Sequence, residues 1–290
     1  DDTEEAQVIT ETIVEKVELE ITDYQLLYNK LYTVASECNK SLVTVTGVKS
    51  DIDWFNNPYE SKGQVSGLII ADNGKSLLIL ADKKAVEEAE MINITFSDGT
   101  QAKAELVGTD TTTGLAVISV SYELIDQNTL NLVSLAKLGS SNAVSLPGSP
   151  VIAIGSPMGN RGSIAYGMLT SVGNTINVVD NAYKTMTTDI YGSTKAGGVI
   201  ANMKGEVIGI INMNYNQETT ANLITALGIT ELKKTIEKLS NSKQIAYLGI
   251  FGIDVTQQAN EELGVPYGAY VTDISIDSPA MQHVIQSGDV

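Results

Sequence analysis

Short runs of Val, Ile and Leu, closed off by Asn-Gly, Asp-Gly and Ser/Asn clusters, recur along nearly the whole of this chain, and they constrain the fold more than any other feature. Residues 41–47, 65–70, 76–80, 92–96, 102–107 and 114–120 form one series of such runs, with Asn73-Gly74 and Asp98-Gly99 as turns within it. A second series covers 151–155, 167–172, 175–179, 185–190, 206–212 and 222–226. Runs of this length, rich in β-branched residues and bounded by turn formers, specify strands. The spacing predicts an all-β chain in two groups of strands, joined by a crossover over 121–139.

Helices are predicted only at the flanks. Asp23 is placed as an N-cap, with Tyr24, Leu27, Tyr28, Leu31, Val34, Ala35 and Cys38 at helical spacing behind it. Thr230 is placed as the N-cap of a closing helix that turns Leu232, Ile236 and Leu239 to one face. Before the first helix, Val17, Leu19 and Ile21 alternate with Glu18, Glu20 and Thr22, the pattern of an edge strand ending an acidic arm. Residues 51–60 carry turn formers around Trp54 and Phe55 and are expected to loop out. Three domains follow: an acidic arm over 1–22, a main domain over 23–240 and a further segment over 241–290, with 241–243 as the linker.

Composition narrows the partners. The 290 residues carry a net charge of −17 with no basic stripe, which argues against nucleic acid, whose binding needs clustered Lys and Arg. A single cysteine, Cys38, rules out an intrachain disulfide, and its place on the apolar side of a helix marks a buried thiol. With one histidine, His283, and no Cys or His cluster, neither a metal site nor a cofactor is expected. No run of about 18 apolar residues is present to span a membrane. The chain begins at Asp1 without a signal sequence, as a mature form freed of an upstream export signal or anchor would.

The stretch Thr188-Asp-Ile-Tyr-Gly-Ser-Thr-Lys-Ala-Gly-Gly-Val-Ile-Ala-Asn-Met-Lys-Gly-Glu-Val-Ile-Gly-Ile210 resembles the nucleophile loop of the bacterial HtrA/DegP-like, trypsin-fold serine proteases. In that resemblance Ala196 stands where the nucleophilic serine belongs, and Thr194 where an oxyanion-loop glycine belongs. The run Ile79-Leu-Ala-Asp-Lys-Lys-Ala-Val86 matches the family's histidine motif, with Lys84 at the histidine position. Gly108-Thr-Asp-Thr-Thr-Thr-Gly-Leu-Ala-Val117 matches its aspartate motif, with Gly114 at the aspartate position and Asp110 as a turn residue. Ala153-Ile-Gly-Ser-Pro-Met-Gly159 resembles a family turn whose glycines serve the backbone. From Tyr247 onward, Tyr247-Leu-Gly-Ile250, Leu263-Gly-Val-Pro-Tyr-Gly268 and Ser278-Pro-Ala280 resemble the first half of a bacterial PDZ domain.

The resemblance implies a trypsin-like double β-barrel with short flanking helices, followed by a partial PDZ-like domain. Because acyl transfer needs a nucleophile, a base, an orienting carboxylate and oxyanion donors, the three departures imply a chain that is not an enzyme. It would be a pseudoprotease that binds polypeptide or organises an envelope assembly. One alternative is a working serine endopeptidase with a displaced nucleophile, Ser156, Ser193 or Thr194, and Lys84 or Lys195 as base. Another is a purely structural assembly protein. The family also implies an extracytoplasmic location and trimers assembled through the N-terminal segment, with Tyr24, Tyr28 and Tyr32 as contact candidates. Protein C-termini are the implied ligands of the PDZ-like segment, received by backbone donors of Tyr247, Leu248, Gly249 and Ile250 through strand addition.

Overall fold

A computed structural model describes residues 19–52, 58–142, 147–216, 221–243 and 245–290. The chain opens with helix α1 (Ile21–Asn39) and then forms β1 (Leu42–Ile52), β2 (Pro58–Asp72), β3 (Ser76–Asp82), β4 (Met91–Thr95), β5 (Gln101–Asp110) and β6 (Leu115–Ser121). These six close into a barrel in the order β1-β2-β3-β6-β5-β4. A short helix α2 (Gln127–Leu132) lies in the crossover. The second barrel is built from β7 (Pro150–Ser156), β8 (Ser163–Val178), β9 (Asn181–Tyr191), β10 (Gly197–Ala201), β11 (Val207–Ile211) and β12 (Leu223–Gly228). It closes in the order β10-β11-β12-β9-β8-β7. Helix α3 (Ile229–Ser240) follows, and the chain ends in β13 (Ile250–Asp254), α4 (Gln257–Leu263), β14 (Ala269–Ile274) and α5 (Pro279–Gln282), with β13 and β14 as an antiparallel pair. Two closed six-stranded barrels are the trypsin-like double-barrel architecture expected from the sequence.

Period-2 alternation explains why strands such as β3 are apolar at nearly every position. Successive side chains leave a strand on opposite faces. Leu77, Ile79 and Ala81 fill the first barrel, while Leu78 and Leu80 join a cluster between the barrels. In β7 the division repeats: Val151 and Ala153 point into the second barrel, and Ile152 and Ile154 into the shared cluster. That shared cluster also takes in Ala35 and Cys38 of α1 and Leu232, Ile236 and Leu239 of α3. Buried on both faces, these strands hold the two barrels in one packed body and fix the cleft between them.

Several local expectations give way. Helix α1 starts at Ile21, so the alternation at Leu19 and Ile21 ends in a helix and not in an edge strand. Glu20 is its N-cap, and Asp23 sits at N3, where its carboxylate accepts the Glu20 amide at 2.9 Å to complete a capping box. Thr230 is not a cap either: α3 is entered from Gly228, and the Thr230 hydroxyl accepts the Ser141 amide at 2.8 Å. The runs 167–172 and 175–179 belong to one strand, β8, whose pairing with β9 slips twice, between Leu169 and Ser171 and between Val172 and Asn174. Gly173, at φ +94°, lies within the second slip, so a bulge mimics a turn in the sequence. Strand β10 was not anticipated, because its Gly-Gly start carries no strand signal. Trp54 and Phe55, and nearly all of the acidic arm, lie outside the described residues.

Candidate active-site cleft

The cleft between the barrels, about 400 Å³, is lined from both sides and gathers into one place the positions the sequence singles out: Lys84 and Gly114 from the first barrel, Thr194 and Ala196 from the second. Lys84 follows β3 in a 3-10 turn, Lys83–Ala85, capped by the Asp82 carboxylate, which accepts the Lys84 amide at 2.8 Å. Its Nζ lies 3.5 Å from Asn214 Oδ1 across the cleft. Gly114 ends the turn after β5 at φ +70°, donating its amide to the Asp110 carbonyl at 3.0 Å. Nothing lies within 4 Å of where its Cβ would stand. Asp110 is buried and engaged by the turn itself, accepting from the Thr112 and Thr113 amides and from the Thr113 hydroxyl at 2.6 Å. It presents no carboxylate to the cleft.

The loop before β10 is folded onto itself. The Ala196 amide donates to the Ser193 carbonyl at 2.9 Å, the Lys195 amide to Ser193 Oγ at 3.1 Å, and the Ser193 amide to the Pro157 carbonyl at 3.1 Å. The Ala196 amide, which could have met a developing oxyanion, is therefore bonded within the loop. Beyond it, Gly198 stands at φ +111°, and a Cβ there would lie 2.1 Å from the Ile154 carbonyl oxygen. Gly155, on the facing strand at φ +121°, would place a Cβ 2.9 Å from Gly198 Cα. Both glycines are required by the close passage of β7 and β10.

Among the hydroxyls proposed as displaced nucleophiles, Ser156 and Thr194 have different settings from Ser193. Ser156 ends β7 inside the cleft, with its Oγ 3.0 Å from Ser66 Oγ of the first barrel and donating to the Gly197 carbonyl at 3.3 Å. Thr194 also lines the cleft. Ser193 Oγ instead accepts within its own turn. Sequence reasoning missed Ser66, and it missed Arg161, whose Nη1 approaches Thr44 Oγ1 at 3.5 Å. Among the described residues, Lys84, Arg161 and Lys195 face the cleft with Asp82 as its one acidic lining residue, on a chain of net charge −17.

The other candidates are quieter. Cys38 is buried, and burial pushes its thiol up to about 11 against a smaller opposing effect of the Ser41 hydroxyl. His283 is an exposed residue at the end of α5. At the C-terminal segment, Leu248, Gly249 and Ile250 direct their amides at a single carboxylate, that of Asp180 at the tip of the β8–β9 hairpin. Tyr247 precedes them and is half exposed.

Comparison with known proteins agrees with this architecture. The family model described as a trypsin-like peptidase domain matches residues 65–210. A serine protease Do-like HtrB of Bacillus subtilis is 28% identical over 246 residues, 78% of this chain and 51% of its own length. A probable periplasmic serine endoprotease, DegP-like, of Halomonas elongata is 31% identical over 237 residues, 80% of this chain and 47% of its own length. This chain thus spans about half the length of the curated relatives it matches. In three dimensions, an HtrA-type protease AlgW with decapeptide superposes with a TM-score of 0.64 at 20% identity, over 90% of this chain and 84% of that one.

The expectation that the chain is not an enzyme is overturned by these matches. The relatives are named as serine proteases and endoproteases, which points to protease activity in the family that shares this fold. Lysine, glycine and alanine at positions 84, 114 and 196 do not remove the chain from that family. With two closed barrels, a cleft between them and a family model covering half its length, the chain belongs to the trypsin-like peptidase domain family and is homologous to the HtrA/DegP serine proteases.

Proposed function

We propose that this chain handles polypeptides in the manner of the HtrA-type serine proteases, receiving an extended segment in the inter-barrel cleft and a protein C-terminus on its PDZ-like segment, residues 241–290. The observation that carries the reading is the cleft itself. It is lined by both barrels, beside a shared apolar cluster, and among the described residues it bears three cations against one carboxylate. Lys84, Gly114, Ala196 and Thr194 shape this channel and supply no Ser-His-Asp relay. The periplasmic naming of relatives such as the Halomonas protein supports an extracytoplasmic setting.

Hydrolysis, to which the names of the relatives point, has to begin from a hydroxyl other than one at position 196. Ser156 is the best placed, since its Oγ lies in the cleft against Ser66 and beside the backbone of Gly197. Lys84 and Lys195 line the same cleft and, in their neutral form, are the amines such a serine would need as base. One experiment separates binding from cleavage: labelling by a fluorophosphonate probe and degradation of unfolded casein, with wild type, Ser156→Ala and Ala196→Ser in parallel. Labelling of wild type that is lost in Ser156→Ala is the expected result for the displaced nucleophile. Ala196→Ser is expected to add no turnover, because Lys84 and Gly114 still give its hydroxyl neither an imidazole nor a carboxylate. A large gain in casein cleavage by Ala196→Ser would show that the cleft lacks only one oxygen, and unlabelled wild type would sink the Ser156 assignment.

A further inference from the structure

The tip of the β8–β9 hairpin reaches the C-terminal segment through one side chain. Asp180, in the left-handed region at φ 59°, turns its carboxylate onto three successive amides. Oδ2 accepts from Leu248 at 2.6 Å and from Gly249 at 3.0 Å, while Oδ1 accepts from Gly249 at 2.8 Å and from Ile250 at 3.0 Å. The Asp180 amide in turn donates to the Ile250 carbonyl at 2.7 Å, so the contact combines a carboxylate with a strand-like backbone bond.

Three consecutive amides converging on one anion form a backbone nest, and bonds from amides to an ionised carboxylate are among the stronger ones a backbone makes. Gly249, at φ +90°, gives the nest its curvature, and Ser278 stands so close that a Cβ there would lie 2.1 Å from the serine Cβ. Beside the nest opens a cavity of about 840 Å³ lined by Tyr247, Leu248, Ile250 and Ile253, with Asp180 itself at the nest and Asp254 also in the lining. An anion nest next to an apolar trough suits a carboxylate attached to an apolar residue, which is the end of a polypeptide chain.

We infer that Asp180 is a tethered stand-in for that ligand: its carboxylate fills the nest of Leu248, Gly249 and Ile250, and an incoming protein C-terminus must displace it to bind. This rests on the proposed capture of C-termini by the PDZ-like segment. Both groups are carboxylates of the same size asking for the same amides, so they exclude each other. The hairpin, held by the barrel at high local concentration, lowers the apparent affinity for any free C-terminus by the fraction of time it leaves the nest empty.

The test is fluorescence anisotropy on the full chain with a fluorescein-labelled decapeptide ending in a free-carboxylate Val, and with the same peptide as its C-terminal amide. Asp180→Gly deletes the stand-in at a φ that glycine adopts freely. Asp180→Asn keeps a residue tolerant of that φ while removing the charge, and it carries the measurement if the glycine variant folds poorly. Asp180→Gly is expected to bind the free acid about tenfold more tightly than wild type, with Asp180→Asn between them and the amide weak throughout. Equal affinity of the free acid for wild type and both variants, with the amide still weak, would overturn the stand-in and leave C-terminus capture intact. Failure of every protein to bind, or equal binding of acid and amide, would overturn capture and the stand-in together.

Discussion

At the scale of single residues, the cleft is defined as much by what its side chains lack as by what they carry. Position 196 ends in a methyl, position 114 in a proton, and position 84 in an ammonium that reaches to Asn214. Motif order and spacing index these three positions in the sequence, and the fold gathers them in one cleft. The closed backbone of the 193–196 loop was only half legible: Thr194 in place of glycine signalled a changed loop, but the bond from the Ala196 amide to the Ser193 carbonyl is a matter of three dimensions. Cys38 yields a prediction of its own. With its thiol held near 11, the folded state keeps a proton that the unfolded chain releases from about pH 8.5. The resulting stability, on the order of 3 kcal/mol, is fully present below about pH 8.5 and lost as pH rises through 11. Urea melts at pH 8 and pH 10.5 are expected to show a larger drop for wild type than for Cys38→Ala. Equal drops would mean that the thiol ionises as freely in the fold as outside it.

At the scale of elements, the sequence revealed strands as short apolar runs closed by turn formers, and misled where glycine interrupts a strand or alternation runs into a helix. The run Ser76-Leu-Leu-Ile-Leu-Ala-Asp82 announces a strand, and its two-sided burial becomes clear only when a second barrel is set against it. The bulges of β8 divided one strand into two apparent ones, and Gly197 and Gly198 concealed β10, because glycine satisfies a close backbone approach while lowering every strand propensity. The contact of Asp180 with residues 248–250 joins groups about seventy positions apart and leaves no local signal. Helix α3 was found by its periodicity, and its apolar face closes the cluster between the barrels, with Leu232 fully buried. Leu232→Ala is expected to destabilise the chain by about 2–5 kcal/mol in urea melts, the range for a leucine cavity in a packed core. A loss below about 1 kcal/mol would mean that α3 rests on the barrels without holding them.

At the scale of the whole molecule, the proposals concern three places: the cleft between the barrels, the nest at residues 248–250 and the exposed side of α1. Along that helix Tyr24, Leu27, Tyr28 and Tyr32 are exposed by 43–60%. Tyr28 also stands edge-on to Tyr166 of the second barrel, with ring centroids 6.0 Å apart. The HtrA/DegP resemblance implies a trimer through the N-terminal segment, and an apolar face of this kind is what such a contact would use. Sedimentation equilibrium is expected to give three times the chain mass for wild type and a smaller species once residues 1–22 are removed. A monomer in both would leave α1 without that role. The cleft is the surface on which the proposed function stands, and amide hydrogen exchange tests it most directly. Mass spectrometry of the full chain with and without excess unfolded casein is expected to show slowed exchange in residues 64–68, 194–199 and 210–214, which line the cleft from both barrels. Slowed exchange confined to other segments, or none at all with casein bound, would contradict a polypeptide path between the barrels.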